Sequence, residues 1–145
     1  MARLEIDRIE VELGGARVLH GVSLDVAEGE CVALLGPSGC GKTTTLRAVA
    51  GFVALAGGDI RIAGRSVRGL PPHRRNLGLV FQDYALFPHM TVAENVGYGL
   101  RMRGVPRAEA SRRVEEALAL VRLDGFGDRP PARLSGGQRQ RVALA

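Results

Sequence analysis

The chain has 145 residues, a net charge of +5 and 46% hydrophobic content, which is room for one ordinary domain and normal for a chain that folds. No apolar run approaches the roughly 18 residues of a membrane span, and the charged, alternating start (Met1-Ala-Arg-Leu-Glu-Ile-Asp7) is not that of a secretory leader. The arginines are scattered and aromatic residues make up only 4%, so a base-stacking surface, and with it nucleic-acid binding, is not expected.

Leu4, Ile6, Ile9, Val11 and Leu13 mark a first strand whose alternation slips near Arg8. Residues 18–26 read as a second strand, closed by a turn at 27–30. Residues 31–35 are continuously apolar, the pattern of a parallel strand buried on both faces. The two cysteines, Cys31 on that strand and Cys40 just after it, are too few for a metal site and read as reduced thiols.

Next comes Gly36-Pro37-Ser38-Gly39-Cys40-Gly41-Lys42-Thr43-Thr44, which fits the P-loop pattern G-x-x-x-x-G-K-[ST]. Glycines 36, 39 and 41 let the chain turn so that backbone N–H groups point into one concavity. A helix then begins, with Leu46, Val49, Ala50 and Val53 as its expected apolar stripe. Its N-terminus favours phosphate. Lys42, the one lysine of the chain, is placed to reach the β- and γ-phosphates of a nucleotide, and the Thr43 hydroxyl to ligate Mg²⁺.

After the break at Gly57-Gly58, residues 59–63 alternate as a strand in an antiparallel layer with the first two. Residues 70–75 read as a loop, and 77–81 as another buried strand ending at Gln82. Beyond Gln82 the character is helical. Thr91 and Glu94 form a capping box opening a helix to about Arg103. Gly104 ends it, and Pro106 starts a helix to about Arg122 that turns Ala110, Val114, Ala117, Leu118 and Val121 inward. Glu109–Arg113 and Arg112–Glu116 are solvent-side pairs. Residues 124–131 are a linker. Leu134-Ser135-Gly136-Gly137-Gln138 opens a last helix with Ser135 as N-cap, leaving backbone N–H groups as a second anion site.

With the P-loop, Gln82 and the segment 134–143 in hand, the sequence resembles the nucleotide-binding subunits of ABC transporters over its whole length. Residues 75–95 are similar to those of importers of polyamines, ferric iron, sulfate and related solutes. The resemblance implies an α/β fold, the P-loop NTPase of ABC type. It has a mostly parallel core sheet, an N-terminal antiparallel β layer and a helical subdomain, incomplete at the C-terminus. About 1–82 are expected to form the ATP-binding core, 83–134 the helical subdomain, and 135–145 the signature motif with the start of its helix.

The implied function is the ATPase subunit of a bacterial-type importer, cytoplasmic and peripheral on the inner face of the membrane. Two subunits assemble head to tail around ATP and Mg²⁺. Lys42 and the rest of 36–44 grip the phosphates, and Thr43 and Gln82 reach the metal. Ser135, Gly136 and Gly137 of the other subunit meet the γ-phosphate, and Gln138 beside them belongs to the same nucleotide-binding set. Gln82 also touches the attacking water, and Tyr84 to Met90 receive the permease. Leu13 stands where the family often stacks adenine on an aromatic residue. The family's Walker B carboxylates and switch histidine follow the signature helix, so the 145-residue chain by itself is expected to be deficient in hydrolysis. His20, His73 and His89 match no such position and read as structural. Three alternatives stay open: a small P-loop kinase using Asp83, a soluble ABC-type ATPase of DNA repair or ribosome function, and a binding-only fragment.

Overall fold

In the computed structural model, which describes residues 2–145, the N-terminal residues form an antiparallel hairpin. It consists of β1 (Leu4–Leu13) and β2 (Ala16–Val26). Gly14 and Gly15 join the strands at φ 58° and 80°, the double positive φ of a two-residue turn that matches strand twist. The slip near Arg8 is a bulge: the β1–β2 register shifts between Ile6 and Ile9, and Arg8 itself has φ 43°. One extra residue lets Ile6, Ile9 and Val11 all reach the buried face, which strict alternation forbids.

β3 (Gly57–Ile62) pairs antiparallel with the other side of β1, and the short β4 (Arg65–Ser66) adds to β3. The sheet order is β2-β1-β3-β4. Gly57 and Gly58, expected to break the chain, are inside β3. Gly58 lies against the bulge: at φ +78°, a Cβ on it would come 2.4 Å from the Asp7 and Arg8 carbonyl oxygens. One face of this layer is covered by α1 (Lys42–Ala50), giving a core of Ile6, Ile9, Val11, Leu19, Ala48, Ile60 and Val67.

Two expectations are corrected. Residues 31–35 and 77–81, read as buried parallel strands, have no strand partner among the described residues. Leu35 is 91% exposed, and Val32, Leu77, Val80, Phe81 and Cys31 are exposed too. An apolar run encodes a preference for burial, whereas a strand also needs a neighbour for its N–H and C=O groups. The antiparallel layer and the helices are therefore present, while a parallel core sheet is not formed among these residues. The second correction is on α1, where Leu46 points outward and Thr45 and Ala48 are buried in its place, while Ala50 is buried and Val49 and Val53 pack on the core as expected.

The chain divides into two compact units, one through Leu79 and one of Val80–Ala145. The second is helical: α2 (Val92–Val96), α3 (Tyr98–Met102), α4 (Arg107–Leu120) and α5 (Gly136–Leu144). Its core is Val92, Val114, Leu118, Leu123, Leu134 and Val142. The single helix expected over 92–103 is interrupted at Gly97, whose missing Cβ admits Val114 of α4. Pro106 is the N-cap of α4, one position before the place expected of it. The Glu109–Arg113 and Arg112–Glu116 pairs form at 2.6 and 2.5 Å. No helix among the described residues is long and apolar enough to cross a membrane.

Candidate functional site

The phosphate-binding candidate is built on the N-terminus of α1. Gly41 caps it at φ 94° with no side-chain hydrogen bond. The first intrahelical bond is from Thr45 N–H to the Gly41 carbonyl at 2.8 Å. The N–H groups of Lys42, Thr43 and Thr44 therefore face out of the helix end with no acceptor inside it. The loop before them is held open by Gly36 and Gly39 at φ 153° and 82°. Gly41 also has a packing reason to be glycine, since its Cβ would lie 2.6 Å from Leu19 Cδ2.

Lys42 Nζ donates to the Gly36 and Pro37 carbonyl oxygens, both at 2.7 Å, and lies 3.4 Å from Cys40 Sγ. Its ammonium is thus folded over the loop mouth by two neutral acceptors, which a phosphate oxygen can replace with a charged and stronger one. Ser38, Gly39, Cys40 and Thr43 are exposed around it. This donor set fits a triphosphate, with the Thr43 hydroxyl free to face Mg²⁺. Among the described residues no cluster of three or more His, Cys, Asp or Glu could hold a metal.

The opposite end of α1 shows a residue that the sequence reading passed over. Arg75, read as loop, is 6% exposed. Its guanidinium donates from Nη1 to the Ala48 and Val49 carbonyls, each at 2.8 Å, and from Nε to the Leu70 carbonyl at 2.9 Å. Burial draws its pKa down from the ordinary value, though an arginine stays charged. An Arg-Arg pair in a loop carries no signal of this role.

In the second unit, Ser135 caps α5 as expected and is joined by a partner not anticipated. Gln138 N–H donates to Ser135 Oγ at 3.3 Å, and the Gln138 side-chain oxygen accepts from Ser135 N–H at 2.9 Å, a full capping box. Gly136 and Gly137 are exposed, and a Cβ on either would meet open space. Arg141 on the same helix donates to the Val121 and Arg122 carbonyls at 3.1 and 3.2 Å.

Gln82 is exposed in a turn in which Tyr84 N–H donates to the Phe81 carbonyl. Tyr84 and Ala85 then both take positive φ, 64° and 48°. Leu86 packs on the helical core while Phe87 remains 37% exposed beside Tyr98, ring centroids 4.8 Å apart. Asn95 was missed by the sequence reading. Its side chain accepts from Phe87 N–H at 2.8 Å and donates to the Phe87, Met90 and Thr91 carbonyls. An Asn inside a capped helix is the available signal, because its side chain competes for backbone groups. The Thr91–Glu94 capping box is present as expected.

The model of the ABC transporter family matches residues 19–145. The chain belongs to that family. The spermidine/putrescine import ATP-binding protein of Rubrobacter xylanophilus is 57% identical over 142 residues, which cover 98% of this chain and 38% of that protein. An sn-glycerol-3-phosphate import ATP-binding protein of Agrobacterium fabrum is 51% identical over 145 residues, 100% of this chain and 39% of its own. This ABC chain therefore spans about two fifths of the length of these curated relatives. Among solved structures, a dimeric ATP-binding cassette in a post-hydrolysis state bound to ADP and Pi matches with a TM-score of 0.84 and 30% identity. That match covers 97% of this chain and 67% of the other. The ABC-type P-loop fold expected from the sequence is supported by this likeness.

Proposed function

We propose that this ABC chain carries the phosphate grip and the signature helix of an importer's ATP-binding subunit, which couples ATP binding and hydrolysis to solute uptake at the inner face of the membrane. The observation that carries the reading is the open N-terminus of α1, with Lys42 held by two replaceable carbonyl acceptors. Residues 36–44 bind the triphosphate, Lys42 meeting the β- and γ-phosphates. Thr43 holds Mg²⁺, with Gln82 as a further ligand that also orients water.

The bare backbone of Gly136 and Gly137 meets the γ-phosphate held by a second subunit. That two glycines with no packing contact stand at a helix start supports this, since a close outside approach needs the missing side chains. ATP and Mg²⁺ together assemble the two subunits head to tail. Tyr84 to Met90, braced by Asn95, are the docking loop for the permease. The relatives named above import polyamines and glycerol 3-phosphate, and a small polar solute, polyamine, iron or similar, is the proposed cargo.

The test uses the full-length protein. MgATP binding measured by calorimetry should be lost in Lys42→Ala, and unchanged affinity in that variant overturns the reading. Phe87→Ala with Met90→Ala should leave ATP affinity intact while weakening assembly with the permease by about 2–4 kcal/mol. A double variant that binds ATP and assembles normally removes the importer assignment and favours a soluble ABC ATPase.

A further inference from the structure

We propose that Arg75 is a positioning residue for nucleotide phosphates, acting on them through α1 from the end opposite the P-loop. The proposal rests on the reading that the α1 N-terminus binds ATP. The last carbonyls of a helix have no partner within it. Here Ala48 O receives Gly51 N–H at 3.1 Å and Arg47 O receives Phe52 N–H at 2.9 Å, whereas Val49 O is satisfied by Arg75 Nη1. The same guanidinium reaches Ala48 O, and its Nε reaches Leu70 O. One rigid planar cation thus ties the C-terminal end of α1 to the turn at 70–75, and it complements the negative end of the helix dipole.

Space for it is made in the backbone. Gly51 ends α1 at φ +84°, and a Cβ there would stand 2.5 Å from Arg75 Nε. No carboxylate among the described residues pairs with Arg75, so its charge serves the helix end. α1 has only nine residues, and a helix this short moves as a rod. A displacement or tilt allowed at Ala48 and Val49 is carried to the N–H groups of Lys42, Thr43 and Thr44. Phosphate contacts depend on those positions to within a fraction of an ångström.

The experiment compares full-length wild type, Arg75→Met and Arg75→Lys for MgATP binding by calorimetry, reading affinity and stoichiometry separately, alongside thermal melting. Arg75→Met should weaken Kd about tenfold at full stoichiometry, and Arg75→Lys, which keeps the charge but reaches fewer carbonyls, should recover part of the loss. A merely structural role lowers the melting temperature and the fraction of competent sites and leaves Kd where it was; that result overturns the proposal. Should Arg75→Met fail to fold, Arg75→Lys decides by the same split: a weakened Kd at full stoichiometry supports the role, and a wild-type Kd removes it. Failure of the wild type to bind MgATP counts against the proposed function, before Arg75 is at issue.

Discussion

At the scale of single residues, two side chains have effects that can be signed. Leu13 ends β1 beside the hairpin turn and is 44% exposed, so there is room for an aromatic ring there, and on the proposed reading adenine lies against this position. Leu13→Tyr in the full-length protein should tighten ATP binding by about 1 kcal/mol, roughly fivefold, and leave GTP-versus-ATP preference little changed. Equal Kd values in titration calorimetry would show that the base lies elsewhere. Asp59 has its pKa held below the ordinary carboxylate value, first by the Ser66 hydroxyl at 2.6 Å, which outweighs the opposing effect of burial, and then by Arg61 and the Ile60 N–H. A depressed folded pKa means stability that is full above the unfolded carboxylate pKa and lost as pH falls through the folded one. Ser66→Ala should therefore raise the Asp59 pKa toward its ordinary value and flatten the acid limb of the stability curve. A carboxyl NMR titration that does not move would contradict the assignment.

Among elements, two glycines should respond to the same substitution in opposite ways. Gly58→Ala puts a methyl group against two carbonyls of the β1 bulge in a positive-φ conformation. The bulge must open or β3 must slide, and the expected cost is about 2–4 kcal/mol in denaturant unfolding. Gly136→Ala meets open space in the first turn of α5, and should be neutral or stabilising by up to about 1 kcal/mol. If the proposed signature role is right, that stable variant should nonetheless lose ATP-driven dimerisation of the full-length protein. Normal dimerisation on gel filtration with MgATP would leave the signature glycines without a function. The capping boxes at Thr91 and Ser135 set helix starts locally, whereas the close approach of Val114 to Gly97 comes from another helix.

For the whole molecule, the apolar segments 31–35 and 77–81 decide solution behaviour. Leu35, Val80, Leu77, Val32 and Phe81 are exposed on segments that join no sheet among the described residues, and clustered apolar surface of this kind favours association. The 145-residue polypeptide expressed by itself should self-associate with rising concentration, and Leu35→Lys should reduce this. Light scattering that reports a monomer across the micromolar to millimolar range would refute the expectation.

The sequence by itself determined whatever is settled within one turn or one strand. The bulge at Arg8 was legible because the apolar spacing changes there, and the P-loop because glycine is needed where φ is positive. The start at Thr91 was legible because a cap and its partner lie three residues apart, and the start at Ser135 because a capping residue precedes the helix, its Gln138 partner going unread. Tertiary structure decided what depends on groups remote in the chain. Leu46 reads as a core residue until the sheet shows which face of α1 it covers. The apolar run at 31–35 is a strand only where a neighbour supplies hydrogen bonds. Arg75 is a loop arginine until the fold brings it to carbonyls 26 and 27 residues away. Capping and turn energies are local and leave their mark on adjacent letters; pairing, packing and a buried guanidinium's acceptors arise only when distant segments meet.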